Sequence, residues 1–405
     1  MKSLTPLRRL AVAAVAMATA GATMAACSST PEEQSPDEPF VVLYVGGLTG
    51  PYQSPVSAQV KGLEVGADYV NENGGIRGRK IVIETLDSQG DPTRAVSLLQ
   101  EALSSDDPPD FVIPSGISAE TLAMLPVLTR NGYPSLSMAA SPLANDPEEY
   151  PYHFQTASSS TLQVASALPA RLRELGAKKL AVLTSQDEYG TGVIRAVESA
   201  VDGLDIELET FQFVPTDLDL TPAYTSALAA DPDYVYLDTS GDSAVRLLQA
   251  RVSAGGTDVP TGVGTGMSLT SGGPYNYGSP EANENLEILV FRVERALPES
   301  EQSQLFKQFI TGMKAKGINT TVSSSALSFD QIRLLAAVMN QEGVLENLPD
   351  AFVEAVYNLD VPDGYWLTIS EIRYTPNSHT LTPGEGDFIF IPSSKMVDGQ
   401  YQVED

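Results

Sequence analysis

From Phe40 onward, short apolar runs alternate with longer segments in which apolar residues recur every three or four positions. The short runs have the β-branched character of buried strands and the longer ones the period of helices with one apolar face. That alternation predicts parallel sheets with crossover helices. Residues 40–45 (FVVLYV) read as the first strand. The next helix carries Val56, Val60, Leu63, Ala67 and Val70 on one face, and Gly74-Gly75 ends it. A strand at 80–86, a helix opened by Asp91 as N-cap with Pro92 in its first turn, a strand at 111–114, a helix over 121–129 and a strand at 135–138 complete one doubly wound half.

After residues 153–156 the same order of elements begins again. Helices at 162–175, 193–201, 223–230 and 244–254 alternate with strands at 180–184, 206–213, 234–238 and around Val263. No repeat of sequence accompanies this repeat of order, which predicts two similar lobes. Downstream, 286–293 reads as a return strand, 302–316, 329–342 and 351–358 as helices, and 365–369, 371–374 and 388–391 as short strands. The expected fold class is α/β, with two doubly wound parallel-sheet lobes joined by a hinge.

The first 27 residues differ in kind. Lys2, Arg8 and Arg9 precede an apolar run over 10–20 that is short for a bilayer span, the pattern of a signal peptide. Its end, Met24-Ala25-Ala26-Cys27, resembles a bacterial lipobox, although Met24 stands where Leu, Val or Ile is usual. Cys27 is the only cysteine, and its place at the cleavage position favours lipidation over a free thiol or an odd disulfide partner. Residues 28–39 (SSTPEEQSPDEP) are polar, acidic and proline-rich, and read as a disordered tether. No second apolar span follows, so the expectation is attachment by an N-terminal lipid alone, with no transport channel within the chain.

The chain has 405 residues, 42% hydrophobic and 19% charged, a soluble globular composition long enough for two domains. Its formal net charge is −28, and loss of the leader's three basic residues makes the remainder more negative still. Nucleic acid and anionic lipid would be repelled. Solubility or adaptation to salt accounts for such acidity without an acid-specific partner.

Catalytic and metal chemistry find little support. His153 and His379 are far apart and fit no metal-ligand spacing, and Ser118 in Gly116-Ile117-Ser118-Ala119-Glu120 is not a nucleophile elbow. Gly262-Val263-Gly264-Thr265-Gly266 lacks the spacing of a dinucleotide loop and reads better as a strand-to-loop turn. No cofactor, metal or enzymatic activity is expected. Binding is favoured instead, because an open parallel sheet presents its site at the carboxyl ends of its strands. Those ends fall at 46–52, 115–118, 139–141, 185–189, 239–243 and 264–268, and they are rich in glycines and hydroxyls. Each could simply cap the helix that follows, but several of them converging on one cleft suit a small anionic group such as a carboxylate.

An ordered series of soft motifs then resembles the type I periplasmic solute-binding proteins, of the kind that includes the leucine/isoleucine/valine-binding protein. It comprises Gly47-Leu48-Thr49-Gly50-Pro51-Tyr52, Asn71-Glu72-Asn73-Gly74-Gly75-Ile76-Arg77-Gly78-Arg79-Lys80, residues 87–95 (DSQGDPTRA), Leu175-Gly176-Ala177-Lys178-Lys179, Asp187-Glu188-Tyr189-Gly190 and Leu248-Gln249-Ala250-Arg251. The resemblance covers roughly 40–266. It implies three crossing segments, hinge closure on a small-molecule ligand, and delivery to separate ABC permease and ATPase subunits. The lobes are expected at 40–156 plus 290–365 and at 157–289 plus 366–405, with the third crossing somewhere in 362–387.

Carried over by position, the resemblance puts the hydroxyls of Ser118 and Ser141 and the backbone amide of Ala139 on a ligand carboxylate, with Tyr189 covering the ligand from the second lobe. Thr239 and Gly266 complete the second-lobe side, and both depart from the pattern. Amino-acid members have an acid at the place of Gly266 and a tyrosine near Thr239 or Ser240. A ligand ammonium would lack that counter-charge unless Asp238 or Asp242 supplied it. Pro55 stands where an aromatic can wall the side-chain pocket, and Tyr52 is the nearby replacement. The expected function is an extracytoplasmic solute-binding lipoprotein of an ABC importer. The same fold also serves as a ligand-sensing receptor module, and a hydrolase on a similar fold is disfavoured for want of a nucleophile and base.

Overall fold

The computed structural model describes residues 38–50, 52–139, 141–239, 242–269, 273–318 and 321–403; Cys27, the leader expected at 1–27 and all but Glu38 and Pro39 of the tether expected at 28–39 lie outside them. The chain enters the first sheet under an anchor: Arg79 donates to Asp110 at 2.7 and 2.8 Å and to the carbonyl oxygens of Glu38 and Pro39. Asp110 in turn accepts the Val41 N–H. These bonds satisfy the buried charges on both sides, as burial of a guanidinium requires.

The first sheet contains β1 (Phe40–Gly46), β2 (Ile81–Asp87), β3 (Phe111–Pro114), β4 (Ser135–Ser137) and β5 (His153–Gln155), all parallel, in the order β2-β1-β3-β4-β5. Its early helices are α1 (Gln53–Glu72), α2 (Pro92–Leu103) and α3 (Ser118–Arg130). Asp91 caps α2 as its sequence predicts, accepting from the Thr93 and Arg94 amides.

In the second sheet, β6 (Lys179–Ser185), β7 (Glu207–Phe213), β8 (Tyr234–Asp238), β9 (Thr261–Val263) and β10 (Leu286–Phe291) are parallel. β11 (Phe388–Pro392) adds an antiparallel edge, giving β11-β10-β9-β8-β6-β7. Apart from that edge, the order repeats that of the first sheet, with a switch of direction beside β6 as beside β1. The crossovers are α4 (Ser160–Leu175), α5 (Glu188–Val201), α6 (Thr221–Ala229), α7 (Asp242–Ser253) and the short α8 (Thr265–Leu269) and α9 (Pro274–Tyr277). The fold class is the expected α/β pair of doubly wound sheets.

Three further helices, α10 (Gln304–Lys316), α11 (Ser323–Met339) and α12 (Asp350–Tyr357), return to the first sheet. α11 packs along α1 and is buried over nearly its whole length. It begins six residues before the expected start, because Ser323 and Ser325 are small enough to enter the packed layer and the Ser325 hydroxyl is satisfied by the Ala58 carbonyl.

Two expectations require correction. Residues 365–369 and 371–374 are not strands. The Leu367 and Thr368 amides, which a strand would give to a ladder, bond to the buried Asp330 carboxylate. That carboxylate also meets Arg333, whose guanidinium lies 3.9 Å over the Tyr365 ring. Further along, Tyr374 donates to the Gln155 carbonyl and the His379 amide bonds to Asn145, both contacts with the first lobe. The chain returns to the second sheet only in the stretch before β11.

After β11, β12 (Met396–Val397) and β13 (Gln400–Tyr401) form a hairpin turning at Asp398 and Gly399, both with positive φ. Gln400 donates to the carbonyls of Val293 and Arg295, pinning the hairpin to the segment that leaves β10.

Candidate interlobe ligand site

The carboxyl ends of both sheets face the places where the chain crosses between them. In the first lobe, β3 runs into Ser118 at the start of α3, and β4 runs into Ala139 and Ser141. Ala139 is fully buried, and its amide makes a long bond, 3.3 Å, to the Ser137 hydroxyl. Gln155 on β5 ties the loop together by donating to the carbonyls of Ala139 and Ser141 at 2.5 and 2.9 Å. Ser141 caps a one-turn helix through the Leu143 amide. Tyr52 is 42% exposed and packs against Gly90.

In the second lobe, Tyr189, Asp238, Thr239 and Gly266 form one cluster. The Tyr189 hydroxyl donates to Asp238 Oδ1 at 3.1 Å. Asp238 is almost fully buried, and burial pushes its carboxyl up to about 7 against the pull of Tyr189 and the amides of Met267 and Gly266. A Cβ on Gly266 would stand 2.2 Å from the Tyr189 hydroxyl oxygen and 2.8 Å from Asp238 Oδ1. Gly266 is therefore bare because Tyr189 and Asp238 occupy its side-chain space. Thr239 is buried with its hydroxyl on Ser243, and Asp242 is exposed on the first turn of α7.

Between the lobes is a cavity of ≈ 490 Å³. All three crossings border it: Ser158 and Ser159 after β5, Phe291 at the end of β10 with Glu294 just beyond, and Phe388 at the return into β11. None of the seven residues expected at the site lines it, but Pro142 and Thr265, direct neighbours of Ser141 and Gly266, do, as does Gly192, three residues beyond Tyr189. A hollow of ≈ 900 Å³ around Tyr275, Pro298 and Lys395 is larger, but it borders only the second lobe and its crossing segment, so lobe closure would not seal it.

The cavity combines apolar walls with a few buried polar groups, the usual make-up of a small-molecule site. Leu289, Phe291, Leu327 and Phe388 supply the walls. Glu294 is 4% exposed; its carboxylate accepts the Phe291 amide at 3.0 Å and meets the hydroxyls of Thr321 and Ser323. Burial raises its pKa, and those bonds oppose the shift.

The match to a family model for periplasmic binding protein extends over residues 40–383. The chain belongs to the periplasmic binding protein family. This periplasmic binding protein is 27% identical over 199 residues to "Leu/Ile/Val-binding protein homolog 3" of Brucella melitensis, covering 47% of the chain and 52% of the relative. It is 26% identical over 167 residues to the Leu/Ile/Val-binding protein of Escherichia coli K12, covering 41% and 44%. It thus spans about half the length of the curated relatives it matches. Among solved structures, an ABC transporter substrate-binding protein from Desulfitobacterium hafniense superposes with TM-score 0.68 at 20% identity, over 91% of this chain and 100% of the other. The branched-chain amino acid transporter substrate binding protein LivJ from Streptococcus pneumoniae, in complex with isoleucine, gives 0.62 at 19% identity, over 91% and 99%. These likenesses show the type I binding-protein fold.

The residues that line the cavity of this periplasmic binding protein, Glu294, Ser158 and Tyr401 among them, are not in the set expected from sequence. One signal did exist for Tyr401: Asp398-Gly399 is a two-residue hairpin turn, and it places Tyr401 beside the crossing segment. Glu294 follows an apolar strand as an isolated acid, a pattern equally common at exposed strand ends. No cluster of three or more candidate metal ligands occurs, and no helix is long and apolar enough to cross a membrane, among the described residues.

Proposed function

We propose that this protein is the extracytoplasmic solute-binding component of an ABC importer and takes a small, carboxylate-bearing, amino-acid-like ligand into the interlobe cavity. The cavity's border of three crossing segments carries the reading: a ligand there touches both lobes and the hinge, and so favours the closed state by its differential contacts. The names of the relatives, and the isoleucine in the Streptococcus pneumoniae structure, support branched-chain amino acids as the ligand class. As the lobes close, Ser118, Ser141 and the Ala139 amide, which sit beside the cavity rather than on its wall, reach the carboxylate, Tyr189 covers it, with Thr239 and Gly266 beside it, and Tyr52 edges the entrance. The closed complex is handed to a separate permease and ATPase. Cys27 carries the lipid that holds the protein at the outer face of the cell membrane.

The protein binds without catalysing. The contacts of Ser135 and Ser137 with His153 sit fully buried between β4 and β5, where no substrate reaches them. The test is thermal stabilisation of the purified protein by a panel of amino acids and their deaminated acids. A ligand at a hundred times its Kd stabilises by about 2.7 kcal/mol. Silence across the panel would overturn the reading. For the anchor, Cys27→Ala should move the protein from the membrane to the soluble fraction.

A further inference from the structure

The cavity carries a buried acid, Glu294, outside the set of residues that the sequence assigns to the ligand. We infer that Glu294, on the second crossing segment, receives the amino group of the bound ligand, so that the cavity selects an amine-bearing molecule with an apolar body. The inference rests on the cavity being the ligand site.

Three observations carry it. The groups that hold the Glu294 carboxylate, the Phe291 amide and the Thr321 and Ser323 hydroxyls, are neutral donors, so its negative charge is oriented but not neutralised by them. A buried charge of this kind gains most from an opposite charge brought in beside it. The opposite walls, Leu289, Phe291, Leu327 and Phe388, suit an aliphatic side chain. Finally, the alternatives are committed elsewhere: Gly266 offers no side chain, Asp238 is shut in under Tyr189, and Asp242 faces solvent.

The test is calorimetric titration of the purified protein with L-leucine, 3-methylbutylamine, which lacks the carboxylate, and 4-methylpentanoate, which lacks the amine. In the wild type, leucine should bind at least tenfold tighter than 4-methylpentanoate. Equal affinity would overturn the inference without needing a variant. Glu294→Gln keeps an acceptor for the Phe291 amide; it should weaken leucine and 3-methylbutylamine at least tenfold and leave 4-methylpentanoate within twofold. If that loss falls on Asp238→Asn instead, the amine sits at Asp238 and the inference fails. Binding of the amine but not of the acid would uphold Glu294 while overturning the carboxylate anchor. Binding of none of the three would overturn both.

Discussion

His153 and His379 meet at the seam between β5 and the returning segment. The His153 ring lies between the Ser135 and Ser137 hydroxyls, and His379 faces the His153 carbonyl at 2.8 Å and stacks on Phe154. Burial pushes His153 down to about 3, helped by the charge of His379, and pushes His379 down to about 4 against the His153 carbonyl. Both folded values lie below the unfolded value, so the unfolded chain binds more protons beneath pH 6.5, and the stability these rings contribute is lost as pH falls from there toward 4. Asp238 works the other way. Its raised carboxyl keeps a proton in the folded state, so its contribution is present below about 4 and is lost as pH rises toward 7. Against Asp238 alone the two histidines prevail by on the order of 2 kcal/mol between pH 6.5 and 4.5; Glu294 and Asp330, also raised by burial, side with Asp238, so urea midpoints should fall by less than that amount. Asp238→Asn should steepen that fall. A flat profile, or a shallower one in the variant, would show that the rings do not titrate as buried neutral groups.

The long periodic elements were legible because each buries one face at a fixed period. The expected face of α1 is the one that packs, with Val56 and Leu63 fully buried. What the pattern could not show is how close that packing is. A Cβ on Gly62 would stand 2.2 Å from the Ser325 carbonyl oxygen of α11, whereas one on Gly192 in α5 would meet nothing within 4 Å. Alanine at the two positions should therefore have opposite effects in the unliganded protein. Gly62→Ala should destabilise by about 1–3 kcal/mol through overpacking, and Gly192→Ala should stabilise by roughly 0.5–1 kcal/mol through helix propensity. Chemical denaturation of both variants checks this, and equal effects would mean that α1 and α11 can slide apart. Elements whose hydrogen bonds go to side chains were the ones misread. The apolar stretch at 365–374 looks like strands, yet Asp330 takes the Leu367 and Thr368 amides and Asp387 that of Ser370, and a carboxylate thirty-odd residues upstream leaves no local trace.

At the scale of the whole molecule, the repeat in the order of elements revealed two doubly wound lobes. The boundary near the C-terminus was hidden, since only tertiary contacts hold 366–381 to the first lobe. The candidate site divides in the same way. Loops at strand ends could be named from the sheet pattern, whereas the hinge cavity draws on three crossings far apart in sequence, which no local period connects. Charge, by contrast, is a property of the whole chain and can be read directly. With 52 acidic against 24 basic residues, most carboxylates have no cation to pair with. The strong pairs, Arg79–Asp110 at 2.7 Å and Arg171–Glu287 at 2.5 Å, are largely buried, so added salt screens them little. Exposed pairs such as Lys178–Asp205 add little stability to lose. Screening therefore acts mainly on repulsion among the surplus acids, which the folded state concentrates and the unfolded chain disperses. The thermal midpoint should rise between 20 mM and 500 mM sodium chloride, by on the order of 3 °C, and potassium chloride should act equally, since screening depends on ionic strength rather than on the cation. A falling midpoint would mean that surface ion pairs outweigh the self-repulsion. A rise with sodium alone would mean that a specific cation site, rather than the diffuse charge, sets the response.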